Sequence, residues 1–243
     1  MVRLFTVLIL VVLFSSCKST YVANSRNVSL FREAKESMVT VALSSGLDVQ
    51  TAYAVTDHIG VMGNANALKK KFSTNDGAST YNRDYLFGEL GLGLYGKSRG
   101  ARYEVYAGYG LGKGTSYEGL YLFAGNTGNV AAVVATGKFN RIFIQPSIAT
   151  NKKNFNLALT MRGSLVDFTE FESGGVVKKP IEGFKFFLEP SLTTTFKLAG
   201  TLRGFFQINI TNPIPSESYF EFERFQTAIG IQLHTGSLRT RVY

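Results

Sequence analysis

Apolar and polar residues alternate with a period of two through most of this chain, from about residue 37 to residue 235. Successive side chains of a β-strand point to opposite faces, so this period predicts strands with one apolar and one polar face. The clearest apolar face lies in 184–198 and consists of Phe184, Phe186, Leu188, Pro190, Leu192, Thr194, Phe196 and Leu198. Ten strands are predicted, at about 37–44, 47–56, 58–68, 84–97, 101–112, 139–150, 154–169, 184–198, 201–212 and 223–235. The predicted fold class is therefore all-β and antiparallel.

The loops between neighbouring strands agree with this alternation. A shift of one residue in register would turn every side chain to the wrong face, so the face pattern fixes whether a loop is odd or even in length. Odd loops are required at 44–46 and 198–200, and both end in glycine, which adopts the left-handed conformation that such hairpins need. An even loop is required at 151–154, and the four residues there fit.

Two architectures share this pattern. A soluble sandwich or lipocalin-like barrel turns its apolar face inward, whereas a transmembrane barrel turns it toward lipid. Several predicted strands are long enough to supply the ~9–11 residues that a tilted strand needs to cross a bilayer. The loops at one end are short (56–58, 98–99, 151–154 and 198–200), and those at the other are mostly long (69–83, 113–138, 170–183 and 213–222). This asymmetry favours an up-and-down transmembrane β-barrel of about ten strands, with both termini at the short, periplasmic turns.

The amino terminus has the parts of an export signal. A positive start that contains Arg3 precedes an unbroken apolar run from Leu4 to Phe14, and the small residues Ser15 and Ser16 follow. The run is too short for a transmembrane helix, which needs ~20 residues. Cys17, the single cysteine of the chain, comes next. The segment looks like the lipobox of bacterial lipoproteins, although an ordinary signal peptide with an incidental cysteine stays open.

The lipobox resemblance implies that Cys17 becomes the new amino terminus and carries lipid, including palmitate, on its thiol and its amine. No aspartate follows Cys17, so the resemblance implies an anchor in the inner leaflet of the outer membrane. The predicted organisation is a lipoprotein signal peptide at 1–16, a lipidated N-terminus and tether at 17–36, the barrel at 37–235 and a C-terminal tail at 236–243.

With this signal, anchor and strand pattern, the chain resembles the small outer-membrane β-barrel proteins of bacteria, in a lipoprotein version. The resemblance rests on pattern and not on a diagnostic motif. It implies a location in the bacterial outer membrane, with a lipid anchor and the N-terminus on the periplasmic side. One departure concerns the end of the chain. Such barrels often finish on an aromatic residue in the last strand, whereas here that strand is predicted to stop near His234, well before Tyr243.

The face pattern also directs many charged side chains into the barrel. Those predicted to point inward are Glu89, Arg102, Glu104, Arg141, Arg162, Lys185, Glu189, Lys197, Arg203 and Arg224. The predicted lumen charge cluster comprises Glu89, Glu104, Arg162, Glu189 and Arg203, with Glu89, Arg162 and Glu189 nearest the middle of their strands. These charges predict either a salt-bridged plug or a narrow, basic-lined pore or pocket for small anionic solutes. Large inward aromatic side chains such as Phe87 and Phe187 favour filling over conduction.

Signals for catalysis are weak in this sequence. The two histidines, His58 and His234, fall at the predicted periplasmic rim, and no His, Cys, Asp and Glu cluster has metal-ligand spacing. The glycine runs at 91–93 and 108–112 do not open helices, so they are weak as phosphate loops. We therefore predict no catalytic residue, no metal and no cofactor.

The remaining predictions concern partners and function. The net charge is +9 at pH 7, and with an export signal this favours outer-membrane lipid over nucleic acid as a partner. The predicted function is a structural or accessory role in an envelope complex, with possible protein partners. A narrow transport or ligand-binding barrel for small anions is the alternative, and a membrane-surface enzyme is the third possibility.

Overall fold

The structure is a computed structural model that describes residues 21–73, 79–121, 130–173, 176–178, 183–214 and 222–236. Its strands are β1 (Ser37–Leu43), β2 (Leu47–Ala54), β3 (Ile59–Ser73), β4 (Ser79–Lys97), β5 (Ala101–Tyr121), β6 (Val130–Thr150), β7 (Phe155–Ser173), β8 (Val176–Lys178), β9 (Lys185–Ala199), β10 (Leu202–Ile210), β11 (Asn212–Ile214) and β12 (Phe225–Thr235). In these ranges no helix is long and apolar enough to cross a membrane.

Ten of these strands form a closed antiparallel β-barrel. Consecutive long strands pair with each other, β7 pairs with β9, and β12 returns to β1 with Val39 opposite Leu233. The short strands β8 and β11 add to the edges of β7 and β9. The predicted ten-stranded all-β barrel is therefore confirmed.

The barrel turns its apolar faces outward. On β4, Leu86, Leu90, Leu92 and Leu94 are each at least 60% exposed, whereas Glu89, between them, is 4% exposed. The outward face consists largely of Leu, Ile, Val and aromatic side chains on all ten strands. An apolar outer band around a polar interior is the arrangement of a transmembrane barrel.

The wall is taller on one side than on the other. Strands β4 to β7 have 19–21 residues, whereas β1, β2 and β10 have 7–9. The extra length lies at the end that carries the 44–46 turn, which we call the long-loop end. The opposite end carries the turns at 55–58, 98–100, 151–154 and 200–201, and we call it the short-turn end.

The predicted long loops are shorter than expected. Pairing of β3 with β4 continues to Ser73 opposite Thr80, and pairing of β5 with β6 continues to Tyr121 opposite Val130. The predictions of loops over 69–83 and 113–138 were therefore wrong for most of those residues. Above the bilayer both faces of a hairpin meet water, so backbone pairing continues there without the alternation that signals a strand.

The largest difference from expectation concerns the residues before β1. The sequence predicted a tether over 17–36, but residues 21–31 lie inside the barrel, where each is at most 6% exposed. We call residues 21–31 the lumenal segment. Residues 1–20, which hold the predicted signal peptide and Cys17, lie outside the described part of the chain, as do residues 237–243.

The lumenal segment runs from the long-loop end to the short-turn end. Tyr21 forms a bridge with Phe222, just before β12 begins at the long-loop end. Phe31 packs edge-on against Tyr95, near the start of the short 98–100 turn. The chain then turns back into β1. The sequence predicted both termini at the short-turn end. The last described residues lie there, but Tyr21 does not, because the segment crosses the lumen before the first strand.

Candidate functional site

Five charged side chains meet in the middle of the lumen. Arg162 Nε lies 2.7 Å from Glu189 Oε2, and Arg162 Nη1 lies 3.2 Å from Glu89 Oε1. Arg141 also pairs with Glu89, and Arg26 Nη2 of the lumenal segment lies 3.3 Å from Glu189 Oε2. All five side chains are fully buried. Three guanidinium groups therefore share two carboxylates, and we call these five residues the lumenal charge cluster.

The lumenal segment completes the hydrogen bonds of this cluster. Asn24 Nδ2 donates to Glu89 Oε1 at 2.9 Å, and Arg141 Nη2 donates to Asn24 Oδ1 at 2.7 Å. The hydroxyl of Tyr21 donates to Glu189 Oε1 at 2.9 Å. A buried charge or polar group without a partner is costly, so these wall residues depend on the segment for their satisfaction.

Wall amides bind the backbone of the segment. The amide N of Arg26 donates to Gln207 Oε1 at 2.7 Å, and Gln207 Nε2 donates back to the Arg26 carbonyl at 2.9 Å. Gln145 Nε2 donates to the Asn27 carbonyl at 2.7 Å, and Gln50 Nε2 donates to the Ser25 carbonyl at 3.0 Å. These side chains replace the strand partners that an extended segment would otherwise need.

A second anchor lies nearer the short-turn end. Glu104 Oε2 accepts from the Leu30 amide at 2.6 Å and from Ser29 Oγ at 2.8 Å. Arg102 Nη1 donates to the Leu30 carbonyl at 2.7 Å. Leu30 has a positive φ of 50°, which is a strained value for a side chain of this kind. The two charged residues hold both polar groups of its backbone in that conformation.

Aromatic rings fill the lumen on the long-loop side of the charge cluster. Tyr21 stacks on Phe187 at 4.7 Å between centroids and meets the edge of Phe139 at 5.2 Å. Room for these rings comes from glycines on the inner face of β5. A Cβ at Gly112 would lie 2.2 Å from Cζ of Phe139. The 108–112 glycine run therefore has a packing role.

The predicted lumen residues do not all meet. Glu89, Arg162 and Glu189 lie together, whereas Glu104 binds the lumenal segment nearer the short-turn end. Arg203 is half-buried at the short-turn end, where its Nη1 lies 3.4 Å from the Lys153 carbonyl. The sequence predicts that Arg141 points inward but does not include it in the charge cluster. It assigns Arg26 to the tether and predicts no lumenal role for it. The one available signal was that 24–27 is polar and lacks alternation, which is equally typical of a tether.

A basic pocket opens at the short-turn end, between the lumenal segment and the wall. Its cavity volume is about 170 Å³. The cationic side chains that line it are Arg32, Arg102, Lys153, Lys197 and Arg203, with His234 beside them, and none of the described lining residues is a carboxylate. Arg102 is 4% exposed, and its Nε has no hydrogen-bond partner. We call this cavity the short-turn pocket.

Two carboxylates bind residues of this pocket: Glu104, through Ser29 and Leu30, and Glu36, just before β1. Glu36 Oε2 accepts from the Arg32 amide at 2.7 Å and lies 3.9 Å from His234 Nε2. Burial raises the pKa of Glu36, and the hydrogen bond from Arg32 opposes that rise. Among the described residues no three His, Cys, Asp or Glu side chains form a group that could hold a metal ion.

The comparisons with known proteins concern the fold. No protein-family model and no curated protein matches the sequence. The translocator domain of the autotransporter NalP from Neisseria meningitidis superposes with a TM-score of 0.50 at 8% identity, over 82% of this chain and 86% of that one. The outer membrane protease OmpT from Escherichia coli gives a TM-score of 0.47 at 7% identity, over 82% and 92%. The KdgM porin gives 0.37 at 6% identity, over 83% and 99%. The closed antiparallel barrel and its likeness to the NalP translocator domain show that the chain has the fold of bacterial outer-membrane β-barrels.

Proposed function

We propose that this chain is a sealed outer-membrane lipoprotein barrel with a structural or accessory role in an envelope complex. One observation supports the proposal: the lumen holds residues 21–31, and wall residues bind them from Tyr21 near the long-loop end to Leu30 near the short-turn end. A barrel for diffusion needs a water-filled path, whereas this interior is a packed core of ion pairs, amides and rings.

The contacts between the lumenal segment and the charge cluster support sealing over transport. Arg26 of the segment pairs with Glu189, and both side chains are fully buried. Asn24 and Tyr21 add hydrogen bonds to Glu89 and Glu189. Withdrawal of the segment would break these contacts, and each buried polar group left without a partner costs ~1–3 kcal/mol. The outer apolar band would then serve to hold the loops of the long-loop end at the membrane surface, where they can contact a partner.

Single-channel recording in planar bilayers tests the sealed state. The full chain is expected to insert without a steady conductance. The double variant Asn24→Ala and Arg26→Ala removes the side chains through which these two residues bind Glu89, Arg141, Arg162 and Glu189, and it is expected to show openings. Lys152→Ala in an exposed turn is not expected to show them. A steady ohmic conductance from the unaltered chain would overturn the proposal. If the double variant does not fold, protection of the segment in the unaltered chain, measured by hydrogen exchange, decides instead.

A second candidate function is binding of a small anion in the short-turn pocket. The observation that favours it is a cavity of about 170 Å³ lined by five cationic side chains, with no carboxylate among the residues that the structure describes in its lining. Inorganic phosphate is a suitable probe, titrated by calorimetry into the detergent-solubilised chain. The variant Arg203→Ala is expected to weaken binding at least tenfold, and Lys152→Ala to leave it unchanged. Absence of heat at millimolar phosphate would remove this candidate and leave the sealed barrel untouched.

A further inference from the structure

The lumenal segment forms one side of the short-turn pocket. Val28, Ser29 and Leu30 line the cavity from the segment, and Arg32 lines it from just beyond the segment. The barrel supplies the opposite side, with lining residues on β5, β7, β9, β10 and β12. An anion in this cavity would therefore contact the segment and the barrel at the same time.

The five cationic side chains of the pocket form no ion pair with any residue that the structure describes. The two neighbouring carboxylates bind backbone amides instead: Glu104 accepts from the Leu30 amide, and Glu36 accepts from the Arg32 amide. Like charges that lie around one small cavity repel each other. The pocket thus has an excess of positive charge that an anion would offset.

Arg102 places one of these positive charges in a buried position. Its side chain is 4% exposed, whereas Lys153 and Lys197 are exposed. Arg102 Nη1 donates to the Leu30 carbonyl at 2.7 Å, and its Nη2 donates to Asn156 Oδ1 at 2.6 Å. Neither of these acceptors carries a negative charge, and a buried charge without a counter-charge is costly. An anion beside Arg102 would lower that cost at the point where the barrel holds Leu30.

The volume of the cavity limits the size of the anion. The cavity of about 170 Å³ is close in size to an engineered protein cavity of ~150 Å³ that binds benzene. Phosphate and sulfate are slightly smaller than benzene, so either ion fits without a change in the wall. A dianion offsets more of the surrounding positive charge than a monoanion of the same size. The pocket therefore favours a compact ion with two negative charges.

We propose that the short-turn pocket binds a compact tetrahedral dianion of the phosphate or sulfate class, and that the bound anion fastens the lumenal segment to the barrel. This inference rests on the anion binding proposed above as the second function, and it deepens that function by naming the ligand class and its effect on the seal. Short turns face the periplasm in outer-membrane barrels, so the anion enters from that side. The short-turn end of the lumen is closed most firmly when the anion is bound.

The fastening follows from the different affinities of two states of the barrel. When the segment leaves its place, Val28, Ser29 and Leu30 no longer line the pocket, so the anion binds the opened state more weakly. A ligand that binds one state alone favours that state by a factor of one plus the ratio of its free concentration to its Kd. At a concentration of 100 times the Kd, opening of the segment becomes about 100-fold rarer.

Two ions of the same shape test the ligand class. Sulfate and perchlorate are both tetrahedral, but sulfate carries two negative charges and perchlorate carries one. In calorimetric titrations of the detergent-solubilised full chain at equal ionic strength, sulfate is expected to bind at least tenfold more tightly than perchlorate. Arg203→Ala should weaken sulfate binding at least tenfold, and Lys152→Ala in the exposed turn should leave it unchanged. Equal affinity for the two ions, or no heat with sulfate, would overturn the inference.

Hydrogen exchange of a peptide that covers residues 21–36 tests the fastening. Saturating sulfate is expected to slow this exchange at least tenfold in the unaltered chain and in Lys152→Ala. Arg203→Ala at the same sulfate concentration should show a much smaller effect, which separates binding in the pocket from the general stabilisation that sulfate gives to folded proteins. Sulfate that binds at the pocket without slowing the exchange would show that the anion does not fasten the segment.

The outcomes separate this inference from the functions on which it rests. Phosphate binding without sulfate binding would overturn the inference and leave the second function standing. Loss of heat with both ions would remove the inference and the second function together. The sealed barrel is judged by conductance alone, so neither calorimetric result bears on it.

Discussion

The hydroxyl of Tyr21 donates to Oε1 of Glu189 over 2.9 Å, across 168 residues of sequence. This bond joins a segment that precedes the first strand to the inner face of β9. Glu189 also pairs with Arg162 of the wall and Arg26 of the segment. A single wall carboxylate thus binds Tyr21 and Arg26 of the lumenal segment as well as Arg162 of the wall.

Replacing Arg162 by alanine is expected to destabilise the folded barrel strongly. The change leaves Glu89 with less compensation and takes from Glu189 its 2.7 Å partner, so the free energy of unfolding should fall by about 3–5 kcal/mol. Urea unfolding in detergent micelles measures the loss. The matched variant Lys152→Ala lies in an exposed turn and should change stability by less than ~0.5 kcal/mol. A loss below ~1 kcal/mol for Arg162→Ala would contradict a dry, paired cluster.

A methyl group at Gly112 should be tolerated poorly. Its Cβ would meet Cζ of Phe139 at 2.2 Å, which forces that ring out of its packing. Overpacking of this kind costs ~1–3 kcal/mol, to be measured by the same unfolding experiment. Gly100→Ala is the control, since nothing lies within 4 Å of its added Cβ. Combining Gly112→Ala with Phe139→Leu should recover part of the loss. Equal behaviour of the two glycine variants would mean that the ring does not occupy this position.

Removal of the Glu104 carboxylate should increase local opening of the lumenal segment around Leu30, near the short-turn end. The Leu30 amide loses its acceptor, so a local opening becomes easier by ~1–3 kcal/mol. Hydrogen exchange of a peptide that covers residues 21–36 is expected to speed up at least tenfold in Glu104→Ala. Glu170→Ala, which removes an exposed ion pair with Lys138, serves as the control and should leave that exchange unchanged. Unaltered exchange in both variants would show that Glu104 does not hold the segment.

An arginine on the outer face should lower the stability of the barrel more, the nearer it lies to the middle of the bilayer. Leu90 lies next to Glu89 near the middle of the wall and is 74% exposed to the surroundings of the barrel. Leu90→Arg should lower the stability in lipid by ~2–4 kcal/mol, whereas Tyr103→Arg near the short-turn end should cost only ~0–1 kcal/mol. Refolding into bilayers under urea measures both. Equal costs at the two depths would contradict the membrane-spanning orientation.

The sequence predicts the barrel well because lipid imposes a rule on every strand. That rule is the alternation of lipid-facing apolar and inward polar side chains. It does not apply outside the bilayer, so the sequence predicts a loop where β5 and β6 extend toward Tyr121 and Val130. Inward parity also placed Glu89, Arg162 and Glu189 correctly on one face, but it could not reveal their partner. Arg26 lies in a stretch with no period of its own, because amide side chains of the wall bind its backbone. Contacts such as those of Arg26 with Gln207 and Asn27 with Gln145 join residues more than a hundred positions apart, so they produce no local sequence pattern.

The burial of the lumenal segment is tested most directly by the reactivity of a thiol inside it. Ser25 is fully buried, and its hydroxyl donates to Asp48 Oδ2 at 2.6 Å, so Ser25→Cys in the Cys17→Ser chain is a small change at a sealed place. A small hydrophilic thiol reagent is expected to leave this cysteine unmodified in the native barrel and to modify it completely after unfolding. Rapid modification in the native barrel, at a rate close to that of Lys152→Cys, would contradict the presence of residues 21–31 in the lumen.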